Sequence, residues 1–167
     1  MSIAPTQQYF IKLWLKNFQE PLMFQVAEAA WGRFKRAFQE KKSGFFIFAT
    51  RDGRSFILDL GSVQLAQSWE CTGEEETDCD DDRPDTSLYF ADGTVATFVA
   101  DDPADLARIF TTLKGSNEGQ TLSFRASDGR LAMFATDELV LLEVCTSFVE
   151  EGYKQIYVQE RGTLPPR

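Results

Sequence analysis

The chain has 167 residues, 43% of them apolar, with fifteen Phe and three Trp, a formal charge of −9 and no His. That length holds one domain or two small, closely packed ones, and the apolar content excludes global disorder. The acidic balance argues against nucleic acid as a partner, since phosphate binding concentrates Lys and Arg. The lack of His removes the commonest general base, metal ligand and pH switch.

Residues 1–10 lack the basic start and long apolar run of a signal peptide, 1–8 read as a loose leader, and no apolar run reaches membrane-spanning length. In 9–16, Tyr9, Ile11, Leu13 and Leu15 alternate with Lys12, Trp14 and Lys16, the period of a half-buried strand. A turn at 17–21 ends in Pro21, and 22–26 returns as a second strand. From Ala27 the period lengthens. Val26, Ala30, Phe34 and Phe38 recur every fourth residue, predicting an amphipathic helix over 27–41. Its polar side carries Arg33, Lys35, Arg36, Lys41 and Lys42, and Ser43-Gly44 stops it.

Residues 45–50 and 55–60 read as the arms of a hairpin turning at Asp52-Gly53, where Gly supplies the positive φ of a tight turn. Residues 63–69 fit a third strand or a short helix, and the imperfect alternation of Val63, Leu65 and Gln67 favours the strand. The next segment, 72–85, is dense in carboxylates: Glu74, Glu75, Glu76, Asp78, Asp80, Asp81 and Asp82. Such a run repels itself and buries no apolar surface, so it reads as an exposed, mobile loop. A second hairpin spans 87–91 and 94–100 across Asp92-Gly93. Asp102 then stands as N-cap, with Pro103 at the first helical position, before the apolar stripe Leu106, Ile109, Phe110 and Leu113. Three strands follow at 121–126, 131–135 and 139–145. Alternation around Ile156 and Val158 predicts a last strand at 154–159, and 162–167 a frayed tail.

Two stretches match. Asp52-Gly53-Arg54, an apolar strand, a polar break, another apolar strand and Cys71-Thr72 return as Asp128-Gly129-Arg130 through to Cys145-Thr146. Phe48 falls on Phe124 without a gap. The expectation is an α+β fold of two ββα-βββ units with mostly antiparallel sheets, one helix per unit and a pseudo-twofold relation. Its parts are a first unit at 1–72, an acidic linker at 73–86, a second unit at 87–146, and a C-terminal strand and tail at 147–167.

Residues 51–113, without the acidic run, carry a hairpin, a strand ending in Trp69-Glu70, a second hairpin at Asp92-Gly93 and an Asp-rich helix start. In this they resemble the short flagellar-operon proteins of the FlbD/SwrD type. The resemblance implies a small, β-rich accessory protein without catalysis and carries over no functional residue. The acidic insertion and the N-terminal helix depart from that pattern.

Candidate chemistry is sparse. Asp78, Asp80 and Asp82 alternate in a way that suits a hard cation, but the Gly and Glu of a calcium-binding loop are out of place. The run reads instead as a solvated linker or a docking patch for a basic protein. Cys71 and Cys145 occupy matched positions, and Cys79 sits among carboxylates. Three Cys with no CxxC spacing point to free thiols in a reducing compartment. Turn chemistry accounts for Asp52, Asp92 and Asp128. No phosphate-loop, dinucleotide or nucleophile-elbow motif occurs.

The functional expectation is a cytoplasmic, non-enzymatic protein-binding module without cofactor, metal, membrane or nucleic acid. An acidic inhibitor, immunity or phage anti-defence protein fits, taking a basic partner through the carboxylates of 74–82, with Arg33 and Arg36 as a second charged face. The alternatives are a self-associating assembly protein and a small-ligand module in the cleft between units.

Overall fold

The computed structural model describes residues 7–40, 44–72, 85–114 and 119–162. The seven carboxylates of the acidic run, with Cys79, Lys41 and Lys42, lie outside the described residues.

The elements come in the order β1 (Gln7–Leu15), β2 (Leu22–Ala27), α1 (Glu28–Gln39), β3 (Phe45–Ala49), β4 (Arg54–Asp59) and β5 (Val63–Thr72). There follow β6 (Thr86–Phe90), β7 (Val95–Phe98), α2 (Pro103–Lys114), β8 (Thr121–Arg125), β9 (Leu131–Ala135), β10 (Leu139–Cys145) and α3 (Thr146–Arg161). A one-turn 3-10 helix separates β4 from β5 (Leu60–Ser62) and β9 from β10 (Thr136–Glu138). The fold is α+β, and every strand pair is antiparallel.

The strands form sheets of order β2-β1-β5, β3-β4-β10-β6-β7 and β8-β9. The five-stranded sheet lies between two apolar cores. On one side Phe48, Phe56, Leu58 and Leu141 pack with Leu13 and Phe24 of the first sheet and Phe34 of α1. On the other, Ile57, Leu88, Leu142 and Val144 pack with α2, the β8-β9 hairpin and Val149 of α3. Strand alternation decides which residue faces which core: Phe56 and Leu58 face one, Ile57 the other. β10 is apolar at almost every position because both its faces are buried.

The succession β-β-α-β-β-3-10-β runs twice, and local bonding recurs with it. Thr50 N donates to Arg54 O, and 76 residues on Ala126 N donates to Arg130 O. Leu60 N to Gly44 O recurs as Thr136 N to Gln120 O, and Lys16 N to Ser62 O as Ala91 N to Glu138 O. The turn glycines Gly53 and Gly129 share φ values of 81° and 86°. β1 pairs with β5 as β6 pairs with β10: Leu13 faces Ala66, Leu88 faces Leu142, and a register shift follows at the same place in each pair.

Several expectations need correction. Residues 154–159 are not a strand: they lie in α3, so among the described residues there are three helices, and two follow β7. Phe148, Val149, Gly152 and Ile156 recur at helical spacing, and α3 packs closely on α2. Gly152 marks the contact, where a Cβ would strike Pro103 O and come within 2.8 Å of Ala107 Cβ. The cysteines do not match either. By register with β1 and β6, Trp69 takes the place of Cys145, and Cys71 lies two residues further on. Cys145 is disulfide-bonded while Cys71 is free, which corrects the expectation of three thiols. Finally, the halves join one way only. β4 lies along β10, whereas a twofold relation would also lay β9 along β5, and no such pair forms among the described strands.

Candidate binding surfaces

Of the carboxylates and cations singled out in the sequence, α1 holds Arg33, Lys35 and Arg36, all exposed. The helix forms because Phe34 and Ala37 bury one stripe, leaving these cations on the other. Arg33 lies over Phe46, 5.5 Å from the ring centre, and Lys35 over Trp31 at 5.8 Å. Both cover aromatic edges of the first core as well as carrying charge.

The junction of the halves holds a cleft of about 360 Å³, with Phe24, Gln25, Phe56, Tyr89 and Glu143 among its lining residues. Sequence reasoning missed its central feature. Arg54 and Glu143 are both buried, and Arg54 Nε donates to Glu143 Oε1 at 2.8 Å. Tyr89 Oη donates to Glu143 Oε2 at 3.4 Å. Arg54 was visible only as part of a turn motif. Its burial follows from facing Cys145 across the β4–β10 seam, a contact between residues far apart in the chain. A buried guanidinium must be paired, and Glu143 supplies the charge. The pair bridges the seam.

Asp52, which lines the cleft, accepts a hydrogen bond from Thr50 Oγ1, and in the β6–β7 turn Asp92 accepts one from Thr94 N at 2.9 Å. Hydrogen bonding from Thr94 holds the Asp92 carboxyl below the ordinary carboxylate range. Both are turn carboxylates. Among the described residues no three His, Cys, Asp or Glu side chains gather in a group suited to a metal ion.

The first sheet has a face turned away from its core. Phe10, Trp14, Met23, Leu65 and Trp69 share it, and Met23, Leu65 and Trp69 are exposed. Phe10 and Trp69 contact at 5.6 Å between ring centres, and Lys12 lies over Trp14 at 5.1 Å. β5 is an outer strand of this sheet, ten residues long and without Pro. Its outer edge takes no strand partner among the described residues. Edges of this length are ordinarily covered, shortened or charged.

Comparison with protein-family models, curated proteins and solved structures finds no match to this chain. Among the described residues no helix is long and apolar enough to cross a membrane.

Proposed function

We propose that this chain is a non-enzymatic protein-binding module built from two copies of one ancestral ββα-βββ unit. One observation carries the binding role: the outer edge of β5, which takes no strand partner among the described residues, beside an apolar face displaying Met23, Leu65 and Trp69. An extended segment of a partner adding to that edge would satisfy its free main-chain groups, while the aromatic face gave contact area. The recurrent hydrogen bonds and the repeated strand register support the duplication.

Charge adds direction. The net charge of −9 and the carboxylates of 74–82 favour a basic partner, and Glu74 to Asp82 follow shortly after β5 in the chain. Such a field speeds encounter and weakens in salt. The acidic inhibitor or anti-defence role is the form of this proposal that fits that charge. The resemblance to flagellar-operon proteins contributes no residue to it.

Parallel affinity purification with the wild-type chain and a Leu65→Lys variant tests the proposal. Support is a partner held by the first, lost by the second, and protecting the β5 amides from hydrogen exchange. Identical partner sets would count against it. The cleft lined by Tyr89 and Glu143 favours a second reading, a small-ligand module. Native mass spectrometry of the purified chain would reveal a retained molecule, absent from a Glu143→Leu variant.

A further inference from the structure

The two halves share one hydrogen-bonding register, so each residue of one seam has a counterpart elsewhere. β4 lies along β10 with Leu58 facing Leu141, Ile57 facing Leu142 and Arg54 facing Cys145. The counterparts of β4 are in β9 and those of β10 are in β5. Leu65 stands where Leu141 stands against the neighbouring strand of its own sheet, and Gln67 where Glu143 stands. Met133 stands where Ile57 stands in its hairpin.

These counterparts differ in burial, not in place. Ile57 and Leu141 are 0% exposed, whereas Met133 is 65% and Leu65 is 54% exposed. Arg54 is buried, while the Arg130 side chain is 89% exposed. The cleft has a counterpart as well: a hollow of about 320 Å³ lined by Phe98, Asp128, Arg130, Ala132 and Met133. The first cleft is walled by Tyr89, Leu141 and Glu143 from β6 and β10. Among the described residues the second has no such wall. By register, the residues that would supply one are Trp14, Leu65 and Gln67, on the open sheet face.

We propose that a second copy of this chain covers that face: β9 of one molecule adds antiparallel to the free edge of β5 in the next. The register follows from the β4–β10 seam. Leu65 faces Phe134, Ala66 faces Met133, Gln67 faces Ala132, Ser68 faces Leu131 and Trp69 faces Arg130. The pairing buries two exposed apolar sets, Leu65 with Trp69 and Leu131 with Met133, and lays a guanidinium beside an indole. Because the joined surfaces differ, the contact is head-to-tail. It either runs on into longer assemblies or closes into a ring. This inference rests on the reading of β5 as a docking edge and names its occupant.

Sedimentation velocity on the purified full chain, from low micromolar to submillimolar concentration, tests it. Wild-type chain is expected to grow in mass with concentration. Leu65→Lys and Met133→Lys each alter an exposed side chain, block opposite ends and should each remain monomeric. Mixed in equal amounts they should recover association, because one retains a working β9 and the other a working β5. Gln67→Glu supplies the carboxylate that Glu143 offers Arg54, and should tighten assembly about tenfold, less at high salt. If a lysine variant loses its circular-dichroism spectrum, Arg130→Glu replaces the β9 block and Trp69→Ala the β5 block.

A wild-type chain that stays monomeric throughout overturns the proposal. So do blocked variants that assemble like wild type, or a mixture that stays monomeric. A monomer that still binds another protein through Leu65 defeats only the second copy as occupant. A monomer whose β5 edge engages nothing defeats the docking role as well.

Discussion

Arg54 and Glu143 lie 89 residues apart in the chain and bond at 2.8 Å across the β4–β10 seam, with only 2% and 7% of their side chains exposed. Neither charge has much water to fall back on. Arg54→Met should therefore destabilise the fold by about 3–5 kcal/mol, because it takes the guanidinium from a buried Glu143 carboxylate. The double variant Arg54→Met/Glu143→Leu should recover most of that loss. Urea-denaturation midpoints of the wild type and these two variants make the test. A double variant as unstable as the single one would show that Arg54 acts through packing alone.

Ile57 and Met133 hold corresponding hairpin positions but meet opposite surroundings. Ile57→Ala empties part of the second core and should cost about 2–5 kcal/mol. Met133→Ala, measured at low protein concentration, should change stability by no more than about 0.5 kcal/mol. Equal losses at both sites would mean that Met133 is covered within one molecule.

Gly152 lets α3 approach α2, since a Cβ there meets Pro103 O and Ala107 Cβ. Gly152→Ala normally favours a helix, yet here it should destabilise by about 1–3 kcal/mol through overpacking. Thermal unfolding decides. A raised melting temperature would show that α3 docks elsewhere or loosely.

Asp92 has a lowered pKa because Thr94 donates to its carboxylate. The sign follows: the folded form holds the proton less tightly than the unfolded chain. Its contribution to stability is full above the unfolded pKa and is lost as pH falls through the folded one. In a carboxyl-carbon NMR titration Asp92 should titrate below ordinary aspartates. Asp92→Asn should flatten the acid limb of the stability profile. Titration in the ordinary range would remove the hydrogen bond from the account.

Much of the element order was legible because its signals are local. Alternation in 9–16, the fourth-residue spacing from Val26 to Phe38, and the Asp-Gly turns each act within a few residues. So does the cap at Asp102, whose carboxylate accepts from Ala104 N at 3.0 Å. The C-terminal segment misled because Ile156 and Val158 fit a short strand as well as a helix. Packing of Gly152 against α2 decides between them.

The amino-acid sequence by itself determined the twice-run order of strands and helices, since hydrophobic period and turn chemistry are written in neighbouring residues. Only the tertiary structure decided that Arg54 is buried while Arg130 is exposed, and that β10 is enclosed while β5 is open. The two Asp-Gly-Arg turns read alike along the chain. Their environments differ because β4 is paired on both edges, by β3 and β10, whereas β9 is paired on one edge only, by β8, among the described strands.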